Sequence, residues 1–184
     1  VFTDLRQRLV PLVDRYAEAS KKVDTSFLHR SVPVEVQRQL SVELAKFLEY
    51  DVTSPRAAGR IDETEHPFTT GYYSDVRITT HYYPDNFVSS MYSVLHECGH
   101  AIYGQNFPPE YKFQAVGDAA SYGIHESQSR FVENIVGRSR PFVEYLLPVV
   151  NTITKGVLKD VSIDNFLRAI NRVERSKIRI EADE

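Results

Sequence analysis

The sequence contains one cysteine, no tryptophan and no apolar run long enough to cross a membrane. The single thiol, Cys98, cannot form a disulfide within the chain, so a disulfide scaffold is excluded and we predict a reducing, cytoplasmic setting. The longest apolar stretch, "FVEYLLPVV", is interrupted by Glu144 and Pro148 and is far shorter than the roughly 20 residues that span a bilayer. The sequence therefore predicts no membrane-spanning segment and no membrane partner.

An excess of one charge sign is also lacking. The chain has 22 basic and 25 acidic residues, and its net charge is −3. Because nucleic-acid binding requires a clustered basic surface and the basic residues here are scattered, we expect no nucleic-acid partner. The first residues, "VFTDLRQRLV", show no basic and apolar leader, so we expect no secretion signal.

The periodicity of apolar residues predicts a mainly α fold. The chain has 184 residues, 42% of them hydrophobic, which is enough for one domain with a sizeable core. Apolar residues three or four positions apart predict helices over residues 2–22, 31–52, 86–104, 119–136, 141–155 and 162–184. Residues 53–71, rich in Pro, Gly, Thr and Asp, predict a loop, whereas "DVRITTHY" alternates β-branched residues and predicts a strand. The predicted fold class is mainly α with a small β element.

The segment "SVLHECGHAIYGQ", residues 93–105, places two histidines four positions apart with a glutamate after the first. On a helix, His96 and His100 project from nearly the same face and can bind one ion. Glu97 lies about 100° further round, within reach of a metal-bound water. Neutral imidazoles suit zinc, which lowers the pKa of such a water towards neutrality. The spacing therefore predicts metal-dependent hydrolysis.

The residues themselves leave two questions open. The histidines and Glu97 could be polar residues on a helix without a metal. The third ligand is also undecided, because "GIHESQSRFVEN" offers His125, Glu126 and Glu133 and spacing alone does not choose among them. Glu133 could instead pair with Arg130 three positions earlier, and His125 could be a half-buried histidine with satisfied hydrogen bonds.

Five motifs follow one another in a specific order. They are "HPF" at 66–68, "DVRIT" at 75–79, "HECGH" at 96–100, "HESQ" at 125–128 and "IRIEAD" at 178–183. This order resembles the thermostable metallocarboxypeptidase family typified by carboxypeptidase Taq. The family's Gly-x-x-Gln-Asp-x-His-Trp motif and long N-terminal helical region are not found in this sequence. We therefore expect residues 1–184 to form a single domain, the catalytic-core portion of a longer helical metallocarboxypeptidase.

The resemblance implies a helical metallopeptidase core with the small β element next to the active-site groove. It implies a zinc enzyme, with cobalt as an alternative, that forms a homodimer at full length and removes residues from peptides with a free C-terminus. It implies His96, His100 and Glu126 as metal ligands and Glu97 as the general base. Arg179 resembles the arginine that binds the substrate's terminal carboxylate, which suits a planar guanidinium with two parallel hydrogen bonds.

Other polar residues of these motifs have less defined roles. Arg77 is a candidate for substrate binding in the groove. Asp75, on the same face of the predicted strand, could accept the spare N–H of a ligating histidine or could pair with Arg77. We expect His66 to be structural and Cys98 to be a small buried side chain.

The leading hypothesis is a metallocarboxypeptidase that hydrolyses the C-terminal peptide bond through a metal-activated water. A helical zinc endopeptidase or oligopeptidase would use the same ligands. An inactive truncated relative would bind only a metal or a partner. We expect metal binding to survive truncation better than turnover, because catalysis requires several groups to be held within about 0.5 Å of their productive positions.

Overall fold

The computed structural model describes residues 1–174, which form six α-helices and one three-stranded sheet. The helices are α1 (Phe2–Ser20), α2 (Val34–Phe47), α3 (Phe87–Gln105), α4 (Tyr122–Arg130), α5 (Arg140–Ile153) and α6 (Ile163–Ile170). The strands are β1 (Gly59–Glu63), β2 (Thr69–Tyr72) and β3 (Asp75–Thr80). The mainly α fold class with a small β element is confirmed.

Helix α3, which carries the two motif histidines, is the central element of the fold. Thirteen of its nineteen residues are buried, against α2, the sheet and α4. Its apolar residues, such as Phe87, Met91 and Leu95, lie in one hydrophobic core with side chains from α2, α5 and α6. A helix surrounded in this way holds its side chains in fixed positions, which a binding site requires.

The sheet packs on α3 through its central strand. Strand β3 pairs in parallel with β1 and antiparallel with β2, so the order is β1-β3-β2. Val76 and Ile78 of β3 are buried, whereas Asp75 and Arg77 alternate with them and are exposed. The sheet therefore has one face on the core and one outer polar face.

Residues 53–71 were predicted to be a loop, but β1 and most of β2 lie within them. Strand β1, "GRIDE", is poor in β-formers, and its pairing partner β3 supplies the hydrogen bonds that its own propensity would not secure. Gly59 permits this approach, because a β-carbon there would stand 2.5 Å from the ring of Tyr50. Tertiary packing thus overrides the local signal.

Each predicted helix has an observed counterpart, and the bounds differ by a few residues. Of the helix predicted over residues 162–184, the structure has α6 (Ile163–Ile170), and residues 175–184 lie outside the described residues. The predicted helix over residues 119–136 is divided into α4 and a wider π-helical turn, Phe131–Val136. Ser162 caps α6 by accepting a hydrogen bond from the backbone N–H of Asn165. Helix α1 buries only Ser20 and leaves its apolar face exposed among residues 1–174. None of the helices in this range is both long and apolar enough to traverse a lipid bilayer.

Candidate metal centre

Helices α3 and α4 cross closely at Gly99, and this crossing creates the site. A β-carbon at Gly99 would stand 2.6 Å from the α-carbon of Ser129, a distance that real side chains essentially never reach. The missing side chain therefore lets the backbone of α4 lie directly on α3. Ser121 caps α4 by accepting a hydrogen bond from the backbone N–H of Ile124. Glu126, on the second turn of α4, is thereby brought over the histidines of α3.

His96, His100 and Glu126 converge on one point. The Nε2 atoms of His96 and His100 lie 3.4 and 3.2 Å from the same carboxylate oxygen, Oε2 of Glu126. In a tetrahedral zinc site with bonds of about 2.0–2.2 Å, ligand atoms are about 3.3–3.6 Å apart. Two imidazole nitrogens and one carboxylate oxygen at these separations suit zinc or a similar divalent metal.

The other nitrogen of each imidazole also has a partner. Nδ1 of His96 lies 3.0 Å from Oε2 of Glu133, and Nδ1 of His100 lies 2.6 Å from Nδ1 of His125. Outer partners of this kind fix the tautomer and the orientation of a metal-binding imidazole. Both rings are therefore held with Nε2 directed at Glu126.

Two arginines hold the carboxylates. Arg130 donates to Oε1 of Glu126 at 2.6 Å and to Oε2 of Glu133 at 3.0 Å. Arg138 donates to Oε1 of Glu133 at 3.0 Å. Ser129 donates to Oε2 of Glu126 at 3.0 Å. These bonds fix both carboxylates in the ionised form, which is the form that binds or orients a cation.

Burial and neighbouring charges shift the pKa values of the centre in different directions. Burial lowers the pKa of His96, but the hydrogen bond to Glu133 and the charges of Glu97, Glu126 and Glu133 outweigh burial and raise it. Burial raises the pKa of Glu133, yet hydrogen bonds from His96 and Arg138 lower it to about 2. For His100, burial and the charges of the neighbouring histidines lower the pKa to about 4, so this ring is neutral at physiological pH.

Glu97 is held by the sheet. Its side chain is buried, and its Oε2 accepts a hydrogen bond of 2.5 Å from the hydroxyl of Thr69, the first residue of β2. The same hydroxyl lies 3.1 Å from the backbone carbonyl of Glu97. Because threonine is β-branched and sits at a fixed register opposite Ile78, its hydroxyl is a rigid anchor for this carboxylate.

A cleft with a volume of about 550 Å³ opens beside the centre. Its lining includes His96, Glu97, Glu133, Arg130, Arg138 and His66. The volume falls within the range of about 300–1,000 Å³ that is usual for small-ligand sites. The arrangement can accommodate a ligand next to the converging histidines and Glu97.

Among the described residues, the other candidates lie outside the set of converging ligands. Asp75 accepts two hydrogen bonds from Arg77, at 2.7 and 2.9 Å, on the outer face of the sheet. Of the two roles predicted for Asp75, the structure therefore contains the pairing with Arg77. The ring of His66 bonds to the carbonyl of Pro67. Cys98 is fully buried, which raises its pKa. Arg179 lies outside the described residues.

Sequence reasoning did not anticipate the contacts that three residues make with the centre. Thr69 was placed in a loop, so its contact with Glu97 could not be anticipated. Glu133 and His125 were considered as ligands, and Glu133 also as a partner of Arg130. The structure has the pair with Arg130, and both residues contact the outer nitrogens of the two histidines. The spacing in the sequence could have indicated these contacts. Glu133 lies about two helical turns beyond Glu126, and His125 directly precedes Glu126.

Comparison with known proteins identifies a family of metallopeptidases. The model of the family described as carboxypeptidase Taq (M32) metallopeptidase matches residues 1–184. Thermostable carboxypeptidase 1 of Thermus thermophilus is 46% identical over 185 residues, which cover 100% of this chain and 35% of that protein. Carboxypeptidase 1 of Bacillus subtilis is 42% identical and is covered to 36%. The chain thus spans about a third of the length of these curated relatives.

Solved structures share the fold. The M32 carboxypeptidase of Deinococcus radiodurans R1 superposes with a TM-score of 0.88 at 39% identity, over 100% of this chain and 36% of that one. Trypanosoma cruzi metallocarboxypeptidase 1 superposes with a TM-score of 0.86 at 35% identity, again over 100% and 36%. The likeness covers the helices and the sheet together.

Proposed function

This chain belongs to the carboxypeptidase Taq (M32) metallopeptidase family, and we propose that it forms the metal-binding core of a carboxypeptidase that hydrolyses the C-terminal peptide bond of peptides. The observation that carries the proposal is the approach of both Nε2 atoms, from His96 and His100, to one oxygen of Glu126. The cleft beside these residues supplies space for a peptide end.

Zinc is the metal that we propose, with cobalt as the alternative. His96, His100 and Glu126 would hold it, and three protein ligands are the number found in catalytic zinc sites. When bound, the metal supplies a Lewis acid that polarises a carbonyl and makes water a stronger nucleophile at neutral pH. The acidic surroundings of His96 support a cation at this position.

Glu97 acts as the general base in this proposal. Its buried carboxylate takes the proton from the attacking water, and the hydroxyl of Thr69 holds the carboxylate in place. The sheet thereby contributes to catalysis by orientation rather than by contact with substrate.

The terminal carboxylate of the peptide is assigned to Arg179, by resemblance and by the geometry with which guanidinium groups bind carboxylates. Arg77 was a second candidate for substrate binding, but its ion pair with Asp75 on the outer face gives that role no support. Free-C-terminal peptides are the proposed substrates. A homodimer and a cytoplasmic setting are proposed for the full-length protein, whose relatives are about three times as long as this chain.

The test combines metal analysis with a pair of peptides. Purified protein is analysed for bound metal and then incubated with one peptide in two forms, with a free and with an amidated C-terminus. We expect about one metal ion per chain and stepwise trimming of the free form alone, detected by mass spectrometry. Glu97→Gln should abolish trimming and keep the metal, whereas the exposed Glu110→Gln should change neither.

Two outcomes would contradict the proposal. Cleavage within a peptide blocked at its C-terminus would indicate an endopeptidase or oligopeptidase with the same ligands. The chain could also bind metal without trimming peptides, and Glu97→Gln could leave the affinity for peptides unchanged. Together these results would indicate a relative that has retained only metal binding.

A further inference from the structure

The two metal-site histidines have unlike outer partners. His96 is bonded at Nδ1 to the carboxylate of Glu133, a group that arginines hold in the ionised form. His100 is bonded at Nδ1 to another imidazole, that of His125, at 2.6 Å. Carboxylates and carbonyls are the usual outer partners of a metal-binding histidine, so the second arrangement asks for an explanation.

The contact between two nitrogens fixes where the proton is. Two Nδ1 atoms at hydrogen-bond distance share one proton, since two lone pairs would repel each other and two N–H groups would clash. If Nε2 of His100 is bare in order to bind a cation, its Nδ1 must carry the proton. Nδ1 of His125 is then the acceptor of this hydrogen bond.

The ring of His125 is held for this task. It packs edge-on against Tyr103, with ring centroids 5.2 Å apart and an interplanar angle of 90°. His125 directly precedes Glu126 on α4, so the acceptor and the third candidate ligand are held by the same helix. Among residues 1–174, the set of side chains that converge as metal ligands contains Glu126 but not His125.

We infer that His125 is a positioning residue, which accepts the Nδ1–H of His100 and thereby directs Nε2 of His100 at the metal. The inference rests on the proposed metal centre and goes beyond it. A neutral acceptor orients the ligand without adding negative charge, whereas the Glu133 carboxylate on the other side already has two arginines to balance it. His125 has no part in holding the metal directly.

The experiment measures metal affinity, which does not require turnover. Metal-free protein is titrated with Co²⁺, with binding followed by visible absorption, and with Zn²⁺ in competition with a chelating dye. His125→Leu removes the acceptor and should weaken binding about 10–100-fold, the usual loss for an outer partner. His125→Asn should restore most of the affinity, because its Oδ1 occupies the place of Nδ1. The Co²⁺ bands should change in position or intensity for the leucine variant alone.

A matched control separates orientation from packing. His81 is another partly buried histidine, bonded through Nδ1 to the carbonyl of Thr64, and His81→Leu should leave the metal affinity unchanged. Thermal unfolding of the metal-free variants checks that each one folds. If His125→Leu were stable but bound metal as tightly as the wild type, or if His125→Asn were as impaired as leucine, the inference would fail while the metal centre stood. Lack of binding by the wild type would overturn the centre and the inference together.

Discussion

Gly99 and Ser129 lie at the point where α3 and α4 cross, and no side chain fits between them. A methyl group at Gly99 would also meet the carbonyl oxygen of Gln128 at 2.7 Å, so the obstruction is backbone on the α4 side. Backbone cannot rotate away as a flexible side chain can. Because α4 carries Glu126, the crossing distance sets how far this carboxylate stands from the two histidines.

Gly99→Ala is therefore expected to destabilise the protein by about 1–3 kcal/mol, the usual cost of overpacking, and to weaken metal binding. Gly104→Ala on the same helix is the control, because a β-carbon there would meet only Val76 at 3.8 Å. That change should be neutral or stabilising by up to about 1 kcal/mol, since alanine is the better helix former. Urea unfolding and Zn²⁺ titration of both variants would check this. Equal effects of the two substitutions would contradict the steric argument.

Removal of the metal should lower the melting temperature, because a ligand that binds only the folded chain stabilises it. At a free metal concentration of 100 times Kd, the stabilisation is about 2.7 kcal/mol. Adding a chelator should reverse this shift, and Glu126→Gln should largely abolish it, since an amide oxygen lacks the carboxylate's charge. Glu144→Gln, which changes an exposed carboxylate of α5, should melt and respond to metal like the wild type. Calorimetry with and without Zn²⁺ gives the comparison.

Thr69→Val should impair turnover more than it impairs folding. Valine keeps the shape but removes the hydroxyl that donates to Glu97, so the base loses its fixed position. We expect kcat to fall by roughly tenfold, part of the 10²–10⁴-fold that general-base catalysis supplies, with KM little changed. Thr69→Ser should recover most of the loss, and the exposed neighbour Thr70→Val should show none. Steady-state kinetics on a peptide with a free C-terminus measure kcat and KM for each variant. A change in KM with no change in kcat would contradict the proposed role of Thr69.

Tyr50→Phe should destabilise the contact between the sheet and the segment that follows α2. The ring is fully buried, and its hydroxyl donates to the carbonyl of Val76 at 2.6 Å and accepts from the backbone N–H of Arg60 at 3.2 Å. Loss of such a buried partner costs about 1–3 kcal/mol. Tyr16→Phe, on an exposed helix face, is the control and should be silent in the same denaturant series. A silent Tyr50→Phe would show that the hydroxyl is dispensable.

Acid should remove the contribution of one surface pair. Arg30 grips Asp160 through both carboxylate oxygens, at 2.5 and 2.8 Å, and this hydrogen bonding lowers the pKa of Asp160 to about 2. Because the folded pKa lies below the unfolded value of about 3.9, the pair stabilises the protein above that value and its contribution disappears as pH falls towards 2. The difference in urea midpoint between wild type and Asp160→Asn should therefore shrink from pH 5 to pH 2. A difference that grew on acidification would refute this assignment.

Part of the centre could be predicted from the sequence because it depends on helix geometry alone. His96, Glu97 and His100 lie on one helix, and a four-residue spacing determines their shared direction. The choice of Glu126 over His125 or Glu133 needed the resemblance to a family, since all three occupy the same short helical region. The distances between α3 and α4 depend on a crossing that no local pattern encodes.

The rest depended on contacts between distant segments. Strand β1 has a sequence that favours a turn, and only its pairing with β3 makes it a strand. Because the loop prediction also covered Thr69, the hydrogen bond from Thr69 to Glu97 could not be predicted. For Asp75 the local pattern was sufficient to predict the strand, because Asp75 alternates with the apolar Val76. The pattern does not determine which face of the sheet packs against α3.

His96 lies between Glu126 and Glu133, two carboxylates that one stretch of helix presents to its two ring nitrogens. Seven residues separate them, and the last of these lie in the π-helical turn Phe131–Val136, so an added or removed residue would change both the direction of the second carboxylate and its position along the helix axis. An insertion or deletion between them would leave the imidazole with a single neighbour, even if every side chain were retained. In this part of the molecule, chain length itself is therefore under as tight a constraint as residue identity.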